Sequence, residues 1–210
     1  MDKKKVKQIF KTGIWDDNPV VRQVIGICSS LAVTNLLMNS LIMGLALTFV
    51  TAFSELTVSL IRKFTPRHIR MVVQVLIISA FVIIVDIFLK AYYPEMSKAL
   101  GPYVGLIITN CIIMGRCEAY AQSNPPISSF LDGVASGLGY TLVLLSIAFV
   151  RELFGFGSIF GIQVLGSWWT RWTIMVMPPS AFFIMGVIFW WARGKAEKKE
   201  EEKEGGKATA

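Results

Sequence analysis

Uncharged apolar runs alternate along this chain with short polar breaks. Residues 71–89, MVVQVLIISAFVIIVDIFL, hold a single charge, Asp86, and 41–61, LIMGLALTFVTAFSELTVSLI, close on Arg62-Lys63. A further run over 131–150 starts glycine-rich (Gly133, Gly137, Gly139), and Pro178-Pro179 opens a last one that reaches about Trp191. Two more, 19–38 and 102–121, are apolar but interrupted, the first by Arg22, Gln23, Ser29, Ser30, Thr34 and Asn35, the second by Thr109, Asn110, Arg116 and Glu118. About 20 residues of helix cross the ~30 Å hydrocarbon core of a bilayer. The pattern therefore predicts an all-α integral membrane protein with six transmembrane helices. The two interrupted segments read as broken helices that face protein rather than lipid. The connections are a loop over 90–101, a second over 122–130 containing Asn124-Pro125-Pro126, and an interfacial or re-entrant stretch over 151–177.

The interrupted segments are twins. Pro19–Cys28 reads PVVRQVIGIC and Pro102–Cys111 reads PYVGLIITNC, each opening on proline and closing on cysteine. The runs that follow also match, with 18 residues from Gly44 to Arg62 and 18 from Gly133 to Arg151. Three crossings per half reverse the direction of the second copy. The expectation is two inverted three-helix repeats, over 19–90 and 102–192, the first helix of each broken near the midplane. A basic arm, 1–18, and a charged tail, 193–210, flank them. Nine residues from proline to cysteine rise roughly 14 Å, about half the ~30 Å core. Cys28 and Cys111 would thus meet at the midplane from opposite sides.

Charge sets the orientation. The chain carries +7 overall. Of its 21 Lys and Arg, sixteen fall in segments that a cytoplasmic N-terminus puts inside, four fall outside, and Arg22 lies within the first segment. That asymmetry predicts a multi-pass protein with both termini cytoplasmic. It makes the basic excess a topology signal rather than a nucleic-acid footprint. Five lysines and no apolar core in the first 18 residues read as an arm, not a secretory leader.

Two midplane thiols could be inert apolar residues, a disulfide, or part of a metal site. Four thiolates suit zinc or an iron–sulfur cluster. Two are half a set, so a metal reading requires a partner chain. No Walker, Rossmann or nucleophile motif occurs, and the chain is not expected to catalyse anything alone. An autonomous inverted-repeat secondary transporter is the competing class.

The stretches PYVGLIITNCIIMGRCEAYA, VIGICSSLAVT, SLIRKFTP, IIVDIFLKAYY and PPSAFF resemble the D subunits of bacterial sodium-translocating NADH:quinone oxidoreductases, from about Asn18 to Trp191. ITNCI and MGR are shared with the related E subunit of Rnf-type ferredoxin:NAD oxidoreductases, an alternative assignment. The resemblance implies a six-subunit complex of the inner membrane and, beside this chain, a homologous, oppositely oriented E subunit. It implies one 2Fe–2S cluster shared between the two, its ligands here Cys28 and Cys111. Electrons would pass across the membrane between flavins on other subunits, which also hold NADH and quinone.

Cys117 stands where such chains carry alanine and is read as a spare thiol. Asp86 is a candidate for a cation path, although Lys90 stands one helical turn away and could simply pair with it. Glu55 is the deeper carboxylate. Arg22 and Arg116 anchor at interfaces or act on the cluster, and His68 lies in a basic loop. Trp168, Trp169 and Trp172, with Trp190 and Trp191, read as aromatic belts.

Overall fold

The structure, a computed structural model, describes residues 25–34, 36–155, 157–159, 162–163, 177, 179–191 and 194. Pro19, Arg22, Trp168, Trp169, Trp172, the basic arm and most of the charged tail lie outside the described residues.

The helices are α1 (Ile27–Val33), α2 (Leu37–Ile61), α3 (Arg70–Tyr92), α4 (Pro94–Ile108), α5 (Cys111–Arg116), α6 (Pro126–Gly155) and α7 (Pro179–Trp191). A 3-10 turn, Arg67–Ile69, leads into α3, and a π-helical turn, Cys117–Ala121, continues α5. The extended pairing among the described residues is a two-residue antiparallel hairpin, Ser158–Ile159 with Ile162–Gln163. Among the described residues four stretches are long and apolar enough to cross a membrane: Leu37–Ile61, Arg67–Tyr92, Gly101–Ala121 and Pro126–Gly155; Pro179–Trp191 is shorter.

α2 and α6 form the centre. The buried face of α2 recurs every three or four residues through Ser40, Met43, Gly44, Leu47, Thr51, Ser54, Glu55 and Val58. That stripe is small and polar, while Leu45, Phe49 and Leu60 point outward. Lipid is as apolar as leucine, so these helices associate through close packing and hydrogen bonds rather than through hiding apolar surface. The two run antiparallel. A Cβ built on Gly44 would lie 2.6 Å from Thr141 Cγ2, one on Gly133 2.8 Å from Ala52 Cα, and one on Gly137 2.7 Å from Thr48 Cα. A shift of 89 residues carries Gly44, Thr48 and Ala52 onto Gly133, Gly137 and Thr141. Under it the Gly44–Thr141 and Ala52–Gly133 contacts exchange, and Thr48–Gly137 maps onto itself. The contact is therefore reciprocal about the Thr48–Gly137 crossing.

The same shift carries Arg62 onto Arg151. Arg62 Nη1 donates to the carbonyls of Gln122 and Asn124 at 3.2 and 3.0 Å, in the turn before α6. Arg151 Nη1 donates to Thr34 Oγ1 at 2.7 Å, in the turn before α2. Each arginine ties down the entry to the other central helix. Gly133 faces backbone, which cannot move aside as a flexible side chain could. Gly133→Ala is expected to cost about 1–3 kcal/mol by overpacking and to lower the melting temperature of the detergent-purified protein. An unchanged melting curve would disprove the tight crossing.

Three expected boundaries are corrected. Residues 19–38 are not one helix where described: α1 ends at Val33 and α2 begins at Leu37, within the stretch assigned to the first span. Glu152 Oε2 accepts from the Leu37 N–H at 2.6 Å, a cap supplied from α6 that local sequence cannot reveal. The loop expected over 90–101 is mostly helix. Pro94 opens α4 with Glu95 in its first turn, and Pro102 sits inside it. Two prolines eight positions apart both look like starts, and the first prevails. α6 likewise starts at Pro126, not 131, and runs on to Gly155, so the connection expected from 151 begins later.

Candidate functional site

The helix expected to break does so at its cysteine. α4 stops at Ile108, Thr109 and Asn110 leave helical geometry, and α5 starts on Cys111. Asn110 is the cap, its Oδ1 accepting the Ile112 N–H at 3.0 Å. In the other half Gly26 precedes α1 with φ +88°, a left-handed conformation that glycine adopts without strain. A Cβ there would also lie 2.8 Å from Ile112 Cγ1. Cys28 thus occupies the first turn of α1 and Cys111 the first turn of α5. In first turns the backbone N–H groups lack helical acceptors and are free for other partners.

The two thiols meet. Cys28 and Cys111 are close enough to interact electrostatically and form no disulfide. Both are exposed on the surface of the single chain, whereas Cys117 is wholly buried, with Glu55 and Glu118 as its electrostatic neighbours. Among the described residues no group of three or more His, Cys, Asp or Glu side chains could enclose a metal ion. The donor set is a pair of soft sulfur ligands facing out of the chain, which fits half of a four-thiolate site and not a whole one.

Beneath the thiols lies a buried polar layer that sequence reasoning missed. Ser29, Asn110 and Tyr140 are almost inaccessible. Ser29 Oγ lies 2.6 Å from the Tyr140 hydroxyl and accepts from Asn110 Nδ2 at 3.1 Å. Ser29 and Asn110 flank the cysteines in sequence and could have been suspected. Tyr140, from the middle of α6, carried no signal.

The other candidates are placed as follows. Asp86 accepts from Lys90 Nζ at 2.6 Å, one helical turn on. Arg116 is buried and paired with Asp132. Its Nε donates to Asp132 Oδ2 at 2.9 Å, its Nη2 reaches both Asp132 oxygens, and Tyr120 lies under the guanidinium. Glu55 is fully buried beside this pair, neither carboxyl oxygen hydrogen-bonded. Glu118 ties the π-helical turn to α3 through Arg70 at 3.1 Å and Gln74 at 2.8 Å. His68, Trp190 and Trp191 are exposed.

Apolar outer faces and a small-residue helix crossing define a membrane-embedded helical protein. Residues 6–189 match the family model described as "Rnf-Nqr subunit, membrane protein", and the chain belongs to that family. It is 51% identical over 194 residues to proteins of Shewanella sp. (strain W3-18-1) and Shewanella putrefaciens that are named as the D subunit of the Na(+)-translocating NADH-quinone reductase, covering 90% of this chain and 92% of each relative. A protein of the same name from Shewanella baltica is equally similar.

Proposed function

We propose that the chain is the membrane subunit of a sodium-translocating NADH:quinone oxidoreductase that supplies Cys28 and Cys111 as two of the four thiolate ligands of a 2Fe–2S cluster. The observation that carries this is the outward pair of neighbouring thiols on two helix starts. Two ligands are missing, and their natural source is a homologous subunit of opposite orientation, docked over the pair. A cluster held there supplies a one-electron relay between flavins on neighbouring subunits. The chain's own part is to hold two sulfurs at a fixed spacing and to leave them open to the partner.

The two halves are inverted three-helix repeats, 19–90 and 102–192, six spans in all, with both termini on the cytoplasmic side of the inner membrane. The reciprocal α2–α6 crossing and the matched roles of Arg62 and Arg151 support this, as does the charge asymmetry of the loops. The Rnf alternative stays within the same family, but the Shewanella relatives carry the quinone-reductase name. Stoichiometric iron and a one-electron paramagnetic signal on reduction are expected in the purified complex. A reporter fused after Arg62 should read inside and one after Arg151 outside. An iron-free, fully active complex sinks the cluster, and equal readings at the two fusions sink the inversion.

A further inference from the structure

The hydroxyl of Ser29 has one proton and two acceptor sites. Its proton can reach the Gly26 carbonyl, at 3.2 Å. Asn110 Nδ2 donates to the serine oxygen at 3.1 Å, and the Tyr140 hydroxyl shares a 2.6 Å hydrogen bond with it in which either oxygen can donate. Asn110 Oδ1 is committed to the Ile112 N–H, which turns its amide nitrogen toward Ser29. Every group has a partner. The bonds form a continuous path from the start of α5, through Asn110 and Ser29, to the turn that opens α1, with Tyr140 pinning its midpoint to α6. Gly26 packed against Ile112 closes the same junction. Three buried polar side chains in an apolar surrounding are costly unless mutually satisfied, and satisfied networks rigidify what they join.

We propose that Ser29, Asn110 and Tyr140 are positioning residues: a hydrogen-bonded clasp that fixes the spacing and orientation of Cys28 and Cys111 and thereby sets the electronic properties of the group they hold. The second half of that statement rests on the cluster reading; the first does not. Ser29 is the residue after Cys28 and Asn110 the residue before Cys111. The bond between their side chains therefore acts one residue from each sulfur, and it joins two helix starts that no covalent path of fewer than 81 residues connects. Without it, what joins α1 and α5 is apolar packing, which is non-directional, and the contact of the two thiols themselves.

The test uses the full-length chain purified in detergent, with Cys117→Ser throughout so that only the paired thiols remain. The probe is phenylarsine oxide, whose trivalent arsenic forms two As–S bonds with a close dithiol and releases one water. Ser29→Ala is expected to weaken its binding at least ~10-fold, as expected if a buried hydrogen bond that fixes the dithiol is lost. Tyr140→Phe, which keeps the Asn110–Ser29 bond, should have a smaller effect in the same direction. In the assembled complex Tyr140→Phe should retain iron while its reduction potential and paramagnetic g-values shift, a change that a merely structural role would not produce. Arsenical affinity unchanged in both variants overturns the clasp. So does a Tyr140→Phe complex whose iron signal and potential match the wild type. Should Ser29→Ala fail to fold, Tyr140→Phe alone decides. Arsenical affinities that behave as stated, together with an iron-free wild-type complex, would uphold the clasp and remove the cluster.

Discussion

Cys28→Ser and Cys111→Ser are each expected to abolish iron binding in the purified complex and to reduce NADH-driven quinone reduction to background. Serine is nearly isosteric with cysteine, and both positions are exposed on the chain, so the helices should form unchanged. What is lost is the ligand, because a hydroxyl does not replace a soft thiolate toward iron. A site drawing two of its ligands from this chain has none to spare. Cys117→Ala is the internal control. That side chain is buried away from the pair, and shrinking it should cost on the order of 1 kcal/mol of packing, leaving iron and turnover near wild type. A transporter reading demands the reverse pattern, in which both paired cysteines are dispensable. Full iron in the Cys28→Ser complex would end the cluster assignment, and loss of iron in Cys117→Ala alone would move it to a different thiol.

Much of this is legible in the chain because membranes impose simple rules. An apolar run of about 20 residues with a single charge has few fates, so 41–61 and 71–89 fall within a few residues of α2 and α3. The break before Cys111 is legible too, since Thr109 and Asn110 interrupt an apolar run and asparagine favours a cap over a helix interior. Helix starts fare worse where the deciding contact is tertiary. The Leu37 N–H finds its acceptor on Glu152, 115 residues away, and Pro94 and Pro102 are indistinguishable until the turn after α3 is seen. At the site, sequence pattern locates the two sulfurs but not what lies behind them. Ser29 and Asn110 look like mere polar interruptions. Tyr140 shares its face of α6 with small residues, and only the folding of α1 and α5 onto that face gives its hydroxyl a partner. Arg116 resembles an interface anchor for the same reason: its counter-ion lies on α6, beyond a turn.

That counter-ion makes Arg116→Leu the most damaging change expected away from the cysteines. The Arg116 and Asp132 side chains are 8% and 5% exposed and share more than one hydrogen bond. Removing one member of such a pair takes from the other the partner that offsets its desolvation, at about 3–5 kcal/mol. The two single replacements should not be equal. Glu55 stands beside the pair with both carboxyl oxygens unpaired. After Asp132→Leu the guanidinium has another carboxylate within its electrostatic reach. After Arg116→Leu, Asp132 is left facing a second acid. Arg116→Leu should therefore assemble least, Asp132→Leu should be intermediate, and the double variant, which removes both members of the pair together, should recover part of the loss. Complex yield and melting temperature in detergent read all three. A double variant no more stable than Arg116→Leu would mean that the pair does not act as a unit, and an Asp132→Leu protein worse than Arg116→Leu would remove Glu55 from the arrangement.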